Sequence, residues 1–345
     1  MYPKLISLGF AVPNNFVLSQ QEVLDRLGYT SRMARRIFER SGIDKRHFAL
    51  DPVGLSWQEL REANPPLALH LSLKAVEACF DGRWSGSDLG ALFFCSVTDY
   101  NTPALGYFIG RALGVGEETE FLNIEGQGCQ SSLPALRRAC DYFQLHQRPA
   151  LVVNTELGST TFYPSSEEDL ENVLTNALFA DGSAAVLVGM DDDPSHPAIV
   201  DFLSLYSPEH LEILGYTWRD GRLKCRLDRS IASVVPPLIA DAVRRLLSRH
   251  NLSPEDIAHW AIHPGGPAIL TGVEDQLGLT REQTWASWET LRLFGNCSSA
   301  TLAMVAKRVQ KSITSPQGYA VGVTVGAGGA CEVCLLRWEP TTTPR

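Results

Sequence analysis

The stretch HPGGPAILTGVEDQLGL, residues 263–279, decides how the chain is read. His263 ends the apolar run HWAIH, which reads as a buried strand. Pro264-Gly265-Gly266-Pro267 then makes a rigid turn that starts the next helix. A strand that hands over to a helix through a tight turn is the unit of α/β organisation, and polar residues at such strand ends commonly carry sites.

The same alternation extends in both directions from this turn. LISLGFAV, ALFFCSV, FLNIEG, ALVVNTE and AAVLVG read as strands, the shorter ones apolar enough to be buried on both faces. QEVLDRLG, RMARRIFERSG, LHLSLKAVEACF and PALRRACDYFQ read as helices. The second half repeats the plan with the strand AIVDFLSL, the helix SVVPPLIADAVRRLLSRH, HWAIH, the helix SATLAMVAKRVQKS, and the strands YAVGVTVG and CEVCLLRW. The acidic, proline-bearing MDDDPSHPA, residues 190–198, marks the joint, so the chain divides into 1–193 and 194–345. A helix opening at Cys129 leads to ALVVNTE and ALFADGSAAVLVG, and one opening near Asn296 leads to YAVGVTVGAGGACEVCLL. The two halves match in pattern rather than in residue identity.

Composition excludes several classes. The chain has 345 residues, 44% hydrophobic and 20% charged, which is an ordinary globular balance. A formal net charge of -9 argues against a general nucleic-acid binder, while leaving room for a local basic patch. MYPKLISLGFAVP lacks the apolar length and cleavage site of a secretory signal, and no run is long enough to cross a bilayer. Eight cysteines are scattered without paired spacing, so a cytoplasmic enzyme with reduced thiols is expected. Cys331 and Cys334 form a C-x-x-C, but inside ACEVCLLRW and with no second Cys/His pair, so no metal site is expected.

Three polar residues stand at strand-to-helix turns. In EGQGCQSSLPALRRACDYF, Gly126 and Gly128 permit a sharp turn that would place Cys129 at a helix N-terminus, where free N–H groups favour a thiolate. Cys129 alone reads equally well as a small buried hydrophobe, the reading given to Cys140. His263 alone could be a satisfied core histidine, and Asn296 in LRLFGNCSSATLAMVAKRV an N-cap. Together they form a constellation: imidazole activates the thiol, and His and Asn stabilise a developing oxyanion or enolate. Cysteine proteases and thioesterases use the same residue types, so the trio does not by itself select a reaction.

HPGGPAILTGVEDQLGL followed by LFGNCSSA resembles the C-terminal half of chalcone-synthase-like enzymes, the type III polyketide synthases, and of the related β-ketoacyl-ACP synthases III. ALFADGSAAVLVG, ELGSTTFYP and SGIDKRHF resemble further family segments in the family's order. The resemblance implies a thiolase-like, five-layered αβαβα fold built from two related halves, acting as a homodimer. It implies Cys129, His263 and Asn296 as the catalytic residues of a Claisen condensation between acyl thioesters, delivered by coenzyme A or an acyl carrier protein without a cofactor. It implies Phe179 as a gatekeeper, Thr161, Gly326 and Gly328 as cavity-shaping residues, and Arg36 and Arg40 as phosphate contacts. Met33 falls where the family often has a lysine, and Thr102 where plant members have a methionine that crosses the dimer. Cys225 replaces a second gatekeeping phenylalanine, which should widen the passage to the nucleophile. Gln130-Ser131-Ser132 departs from the usual Ala-Gly-Gly-like continuation. Pyrone- or resorcinol-type polyketide synthesis is the leading expectation. Joining of two carrier-bound β-ketoacyl chains into an α-pyrone, fatty-acid priming and Cys-His-Asn hydrolysis remain as alternatives.

Overall fold

The structure, a computed structural model, describes residues 2–162, 166–219 and 222–338. Strands are β1 (Lys4–Ala11), β2 (Phe16–Ser19), β3 (Lys45–Phe48), β4 (Ala91–Cys95), β5 (Glu120–Ile124), β6 (Ala150–Leu157), β7 (Asp181–Gly189), β8 (Ala198–Tyr206), β9 (Leu214–Arg219), β10 (Arg222–Leu227), β11 (Ile257–Ile262), β12 (Gly318–Gly326) and β13 (Ala330–Trp338). Helices are α1 (Gln20–Leu27), α2 (Arg32–Glu39), α3 (Trp57–Phe80), α4 (Leu105–Leu113), α5 (Ser132–His146), α6 (Leu170–Leu178), α7 (Ile231–Arg249), α8 (Pro267–Leu277), α9 (Trp285–Phe294) and α10 (Thr301–Ser312).

Nine strands form one sheet in the order β11-β12-β13-β8-β1-β7-β6-β4-β5. The flanks β5-β4-β6-β7-β1 and β8-β13-β12-β11 join at the ends of β1 and β8, where Lys4 pairs with Ala198. Helix α5 packs on β4, β6, β7 and β13, and α10 on β1, β7, β11 and β12, so both lie between the flanks. Helices α3 and α4 cover the outer face of the first flank, and α7 and α8 that of the second. The result is the expected five-layered αβαβα arrangement. Every residue of β4, β6 and β7 is buried, as helices on both faces require. Among the described residues, no helix is long and apolar enough to cross a membrane.

Several local expectations are revised. FLNIEG is not buried on both faces: β5 is half-exposed, because it is the edge strand and pairs only with β4. The helix expected over LHLSLKAVEACF starts earlier, at Trp57, and runs through Pro65 and Pro66. Ser56 and Glu59 form a capping box that fixes this start, a stronger signal than the breaker prolines. Strand β11 starts before HWAIH, at Ile257, with the ring of His259 edge-on against Trp338. Cys331 packs with the outer α7/α8 core while Cys334 packs with the central helices. Their three-residue spacing on β13 sends the thiols to opposite faces, so the C-x-x-C cannot converge on one ion.

Strand β1 crosses α3 at Gly9. A methyl group there would fall inside the contact radii of backbone Cys79 N and Ala75 O, with Ala78 C at 2.6 Å. Backbone cannot yield as a side-chain tip can. Gly9→Ala should therefore lower unfolding stability by about 1–3 kcal/mol or more. A urea titration that gives the wild-type midpoint would contradict the close approach.

Candidate active site

The segment from β5 to α5 turns through two left-handed glycines, Gly126 at φ 77° and Gly128 at φ 64°. This is the sharp turn expected from the sequence. Cys129 lies in a short 3-10 turn, Gly128–Gln130, one step before α5 begins. Its carbonyl accepts from Thr324 Oγ1 at 3.0 Å, which ties the turn to β12 in the other flank. Gly326 backs the same turn: a Cβ on it would stand 2.6 Å from Gln127 O and 2.9 Å from Gln130 N.

Cys129, His263, Asn296 and Phe179 line one cavity of about 500 Å3, with Arg36, Arg40 and Met33 also among its lining residues. The lining runs from Met33 to Val325, a convergence of distant residues that only tertiary packing can produce. Cys129 is 6% exposed and its thiol donates to Ser298 Oγ at 3.5 Å. Asn296 Oδ1 accepts from Ser298 N at 2.8 Å and from Thr301 Oγ1 at 3.5 Å. With the carbonyl oxygen so engaged, the amide nitrogen of Asn296 is the group free to face Cys129, to which its side chain is hydrogen-bonded. Asn296 thus serves both readings, capping with its oxygen and presenting its N–H donors to the thiol. His263 is 2% exposed, and neither ring nitrogen has a hydrogen-bond partner. A buried polar ring facing a cavity without a partner costs free energy unless a ligand supplies one.

The electrostatics differ from the sequence expectation. Burial pushes the Cys129 thiol up to about 12, against the smaller opposing effects of Ser298 and Asn296. Burial likewise pushes His263 down to about 4. Position near a helix N-terminus therefore does not make a thiolate here, because desolvation of a lone charge outweighs it. Burial thus opposes a lone charge on either group.

Other expected site residues are placed differently. Cys225 is buried with Cys129 and Phe179, with Leu214 and Tyr216 packed against that cluster, and it is not among the residues that line the cavity. Tyr216 is its partner in the β9–β10 pairing. Thr161 is buried, donates to Gly158 O at 2.9 Å and does not line the cavity. Gly328, at φ 80°, serves the turn between β12 and β13 and lies outside the lining. Thr102 is exposed. Tyr163 and Pro164 of ELGSTTFYP, with Asp220 and Gly221 before LKCRL, lie outside the described residues.

Ser298, Thr324 and Glu156 were not singled out from sequence. Ser298 has a left-handed backbone, φ 49°, in the GNCSSA run, and only the fold shows that its hydroxyl meets Cys129. Glu156 ends the apolar β6 and is 1% exposed. Its carboxylate accepts from Ser299 Oγ at 2.5 Å, Val97 N at 3.0 Å and Thr98 Oγ1 at 3.1 Å. Burial still raises it to about 7, the hydrogen bonds only partly opposing.

A thiol, an imidazole and a carboxamide meeting at one cavity of a thiolase-like fold define a condensing enzyme that transfers acyl groups. Residues 59–192 match the family model of the N-terminal domain of chalcone and stilbene synthases, and residues 206–338 that of the C-terminal domain. The chain belongs to this family, the type III polyketide synthases. It is 32% identical to the 3,5-dihydroxyphenylacetyl-CoA synthase of Streptomyces toyocaensis, over 97% of this chain and 90% of that protein. It is 30% identical to the 1,3,6,8-tetrahydroxynaphthalene synthase of Streptomyces peucetius subsp. caesius, over 90% of this chain and 85% of that protein. The crystal structure of the tetrahydroxynaphthalene synthase of Streptomyces coelicolor superposes with a TM-score of 0.89, covering 98% of this chain and 100% of that one at 21% identity.

Glu156 gives a pH signature. Its folded value of about 7 lies above the ordinary 4.5, so between those values the folded state binds more protons than the unfolded. Stability is then fully present below about pH 4.5 and is lost as pH rises through 7. Asp181, raised to about 6 by burial, acts in the same sense. Glu156→Gln should flatten the fall in thermal midpoint between pH 5 and 8, by on the order of 3 kcal/mol across the range. An unchanged pH profile in the variant would contradict the buried, raised carboxyl.

Proposed function

We propose that the chain builds a polyketide by repeated Claisen condensation on an acyl-Cys129 intermediate and releases a pyrone- or resorcinol-type ring. The observation that carries this reading is the convergence of Cys129, the partnerless imidazole of His263 and the amide of Asn296 on one cavity. The printed activities of the two relatives, synthases of 3,5-dihydroxyphenylacetyl-CoA and of 1,3,6,8-tetrahydroxynaphthalene, support an aromatic polyketide product.

His263 takes the thiol proton as Cys129 attacks the acyl thioester, and coenzyme A leaves with a proton as its free thiol. With that proton passed to the departing coenzyme A, the neutral imidazole and the Asn296 amide then each offer an N–H donor to the carbonyl of a malonyl thioester. Loss of carbon dioxide leaves an enolate, whose negative oxygen these donors stabilise. The enolate carbon attacks the acyl carbon, and the Cys129 thiolate leaves, ready to accept the lengthened chain. Thiol, imidazole and amide supply every group the scheme uses, so it needs no cofactor.

Arg36 and Arg40 line the same cavity from the exposed α2, and we read them as contacts for the phosphates of coenzyme A or of a carrier protein's phosphopantetheine. We read the enzyme as a homodimer. The unpaired edge of β5 supports this, with Leu122 38% exposed and Tyr107, 50% exposed, stacked on Phe121 at 4.9 Å. The flank arrangement supports two related halves divided at residues 193 and 194. The eight free cysteines are consistent with work in a reducing, cytoplasmic setting.

Intact-protein mass spectrometry with an acyl-CoA tests the scheme. Wild type should carry a stable acyl adduct that Cys129→Ala lacks, whereas rapid release of free acid would indicate a hydrolase. His263→Ala and Asn296→Ala should lower condensation by roughly 10²-fold or more. Near-wild-type product from both variants would remove their proposed roles. Arg36→Ala and Arg40→Ala should each raise KM for the acyl-CoA roughly tenfold; an unchanged KM would return both side chains to a solvated face.

A further inference from the structure

We propose that Arg46 is a positioning residue for condensation: its buried guanidinium holds the peptide units that set both Phe179 and Asn296. This rests on the reading of Asn296 given above. Arg46 lies on β3 within SGIDKRHF and is 0% exposed. A fully buried cation is costly unless it is paired and hydrogen-bonded, so its retention calls for a use.

Its surroundings are specific. The guanidinium carbon lies 5.9, 5.3 and 5.5 Å from the ring centroids of Phe38, Phe48 and Phe162. Within this cage Nη1 donates to Asn176 O at 2.7 Å and to Phe179 O at 2.9 Å. These carbonyls belong to the C-terminal end of α6, where helix geometry leaves acceptors unsatisfied and the dipole is negative. Phe179, the C-cap, is extended, and its N–H returns to Thr175 O, so Arg46 supplies the donor for the carbonyls beyond it. The buried Asp181 interacts electrostatically with Arg46 and is held by Ala49 N, Ser159 N and Ser159 Oγ, each at 2.7 Å.

One of the gripped peptide units, Phe179–Ala180, also carries Asn296, and the neighbouring Leu178 carbonyl completes the hold. Asn296 N donates to Leu178 O at 2.9 Å, and Ala180 N donates to Asn296 O at 3.0 Å. Arg46 touches the other side of this bridge as well. A Cβ on Gly295 would stand 2.9 Å from both Arg46 Cγ and Leu178 O, so the arginine stem packs against the backbone just before Asn296. Arg46 does not line the cavity and meets no reacting atom. Its effect must pass through the backbone, moving the amide of Asn296 and the ring of Phe179 relative to Cys129.

The test separates two half-reactions in Arg46→Lys, which keeps the charge but loses the planar fork. Cys129 acylation, followed by mass spectrometry, should stay within about twofold of wild type, while condensation should fall roughly 10–100-fold, as sub-ångström misplacement of a catalytic donor does. A merely structural role would lower both rates together, in proportion to the folded fraction, and that result would overturn the proposal. In Arg46→Lys/Asn296→Ala the arginine change should add less than about twofold to the loss from Asn296→Ala, because the two act through one group. Additive losses would also overturn it. If Arg46→Lys does not fold, Phe162→Leu loosens the cage without removing a polar contact and should show the same split in milder form. Intact condensation in Asn296→Ala alone would instead bring down the reading of the site on which the proposal rests.

Discussion

Two backbone hydrogen bonds, between Asn296 and the peptides of Leu178 and Ala180, join the parts of the site that come from opposite halves of the chain. They close an isolated parallel bridge between Phe179 and Asn296, outside the main sheet. Everything the cavity needs on that wall follows from it. Phe179 is presented at the C-terminus of α6, and Asn296 is held at the turn into α10. The turn carrying Cys129 is fixed to β12 by Thr324, so the third member is referred to the same frame. Gly295 has to be glycine at φ 71° for the bridge to form, since any side chain would meet Arg46 and a carbonyl of α6.

Burial is the second constraint, and it explains the unusual set of titratable groups around the cavity. Cys129, Glu156 and Asp181 are pushed towards their neutral forms, and so is His263. In a dry site an isolated charge is costly, whereas a thiolate and an imidazolium formed together attract one another and share donors from Asn296 and Ser298.

Much of the fold was legible in the sequence because local rules and tertiary demands agree. The all-apolar runs ALFFC and ALVVN are central strands, and Gly126 and Gly128 do adopt the left-handed turn they suggested. Disagreements have physical causes. FLNIEG reads as a strand of the same kind, but its edge position leaves it half-exposed. The helix read over LHLSLKAVEACF begins earlier, because a capping box at Ser56 and Glu59 starts it and packing on β1, β6 and β7 carries it through Pro65 and Pro66. That Tyr216 is the neighbour of Cys225 across the hairpin could not be known until β9 and β10 were paired.

The sequence by itself determined the candidate groups and the turns that present them: a cysteine after two glycines, a histidine before a Pro-Gly-Gly-Pro turn, an asparagine before a run of small residues. Residue chemistry and short-range backbone geometry are local properties, so they can be read without a fold. Only the tertiary structure decided how those groups meet and in what state. The hydroxyl of Ser298 on the thiol, the empty hydrogen-bonding sides of His263, the raised carboxyl of Glu156 and the caged Arg46 all depend on what is packed around them. Desolvation and hydrogen bonding act through space, in the pairs Cys129–Ser298, Glu156–Ser299 and Arg46–Asn176 between residues more than a hundred positions apart, and leave no periodicity or spacing in the chain to announce them.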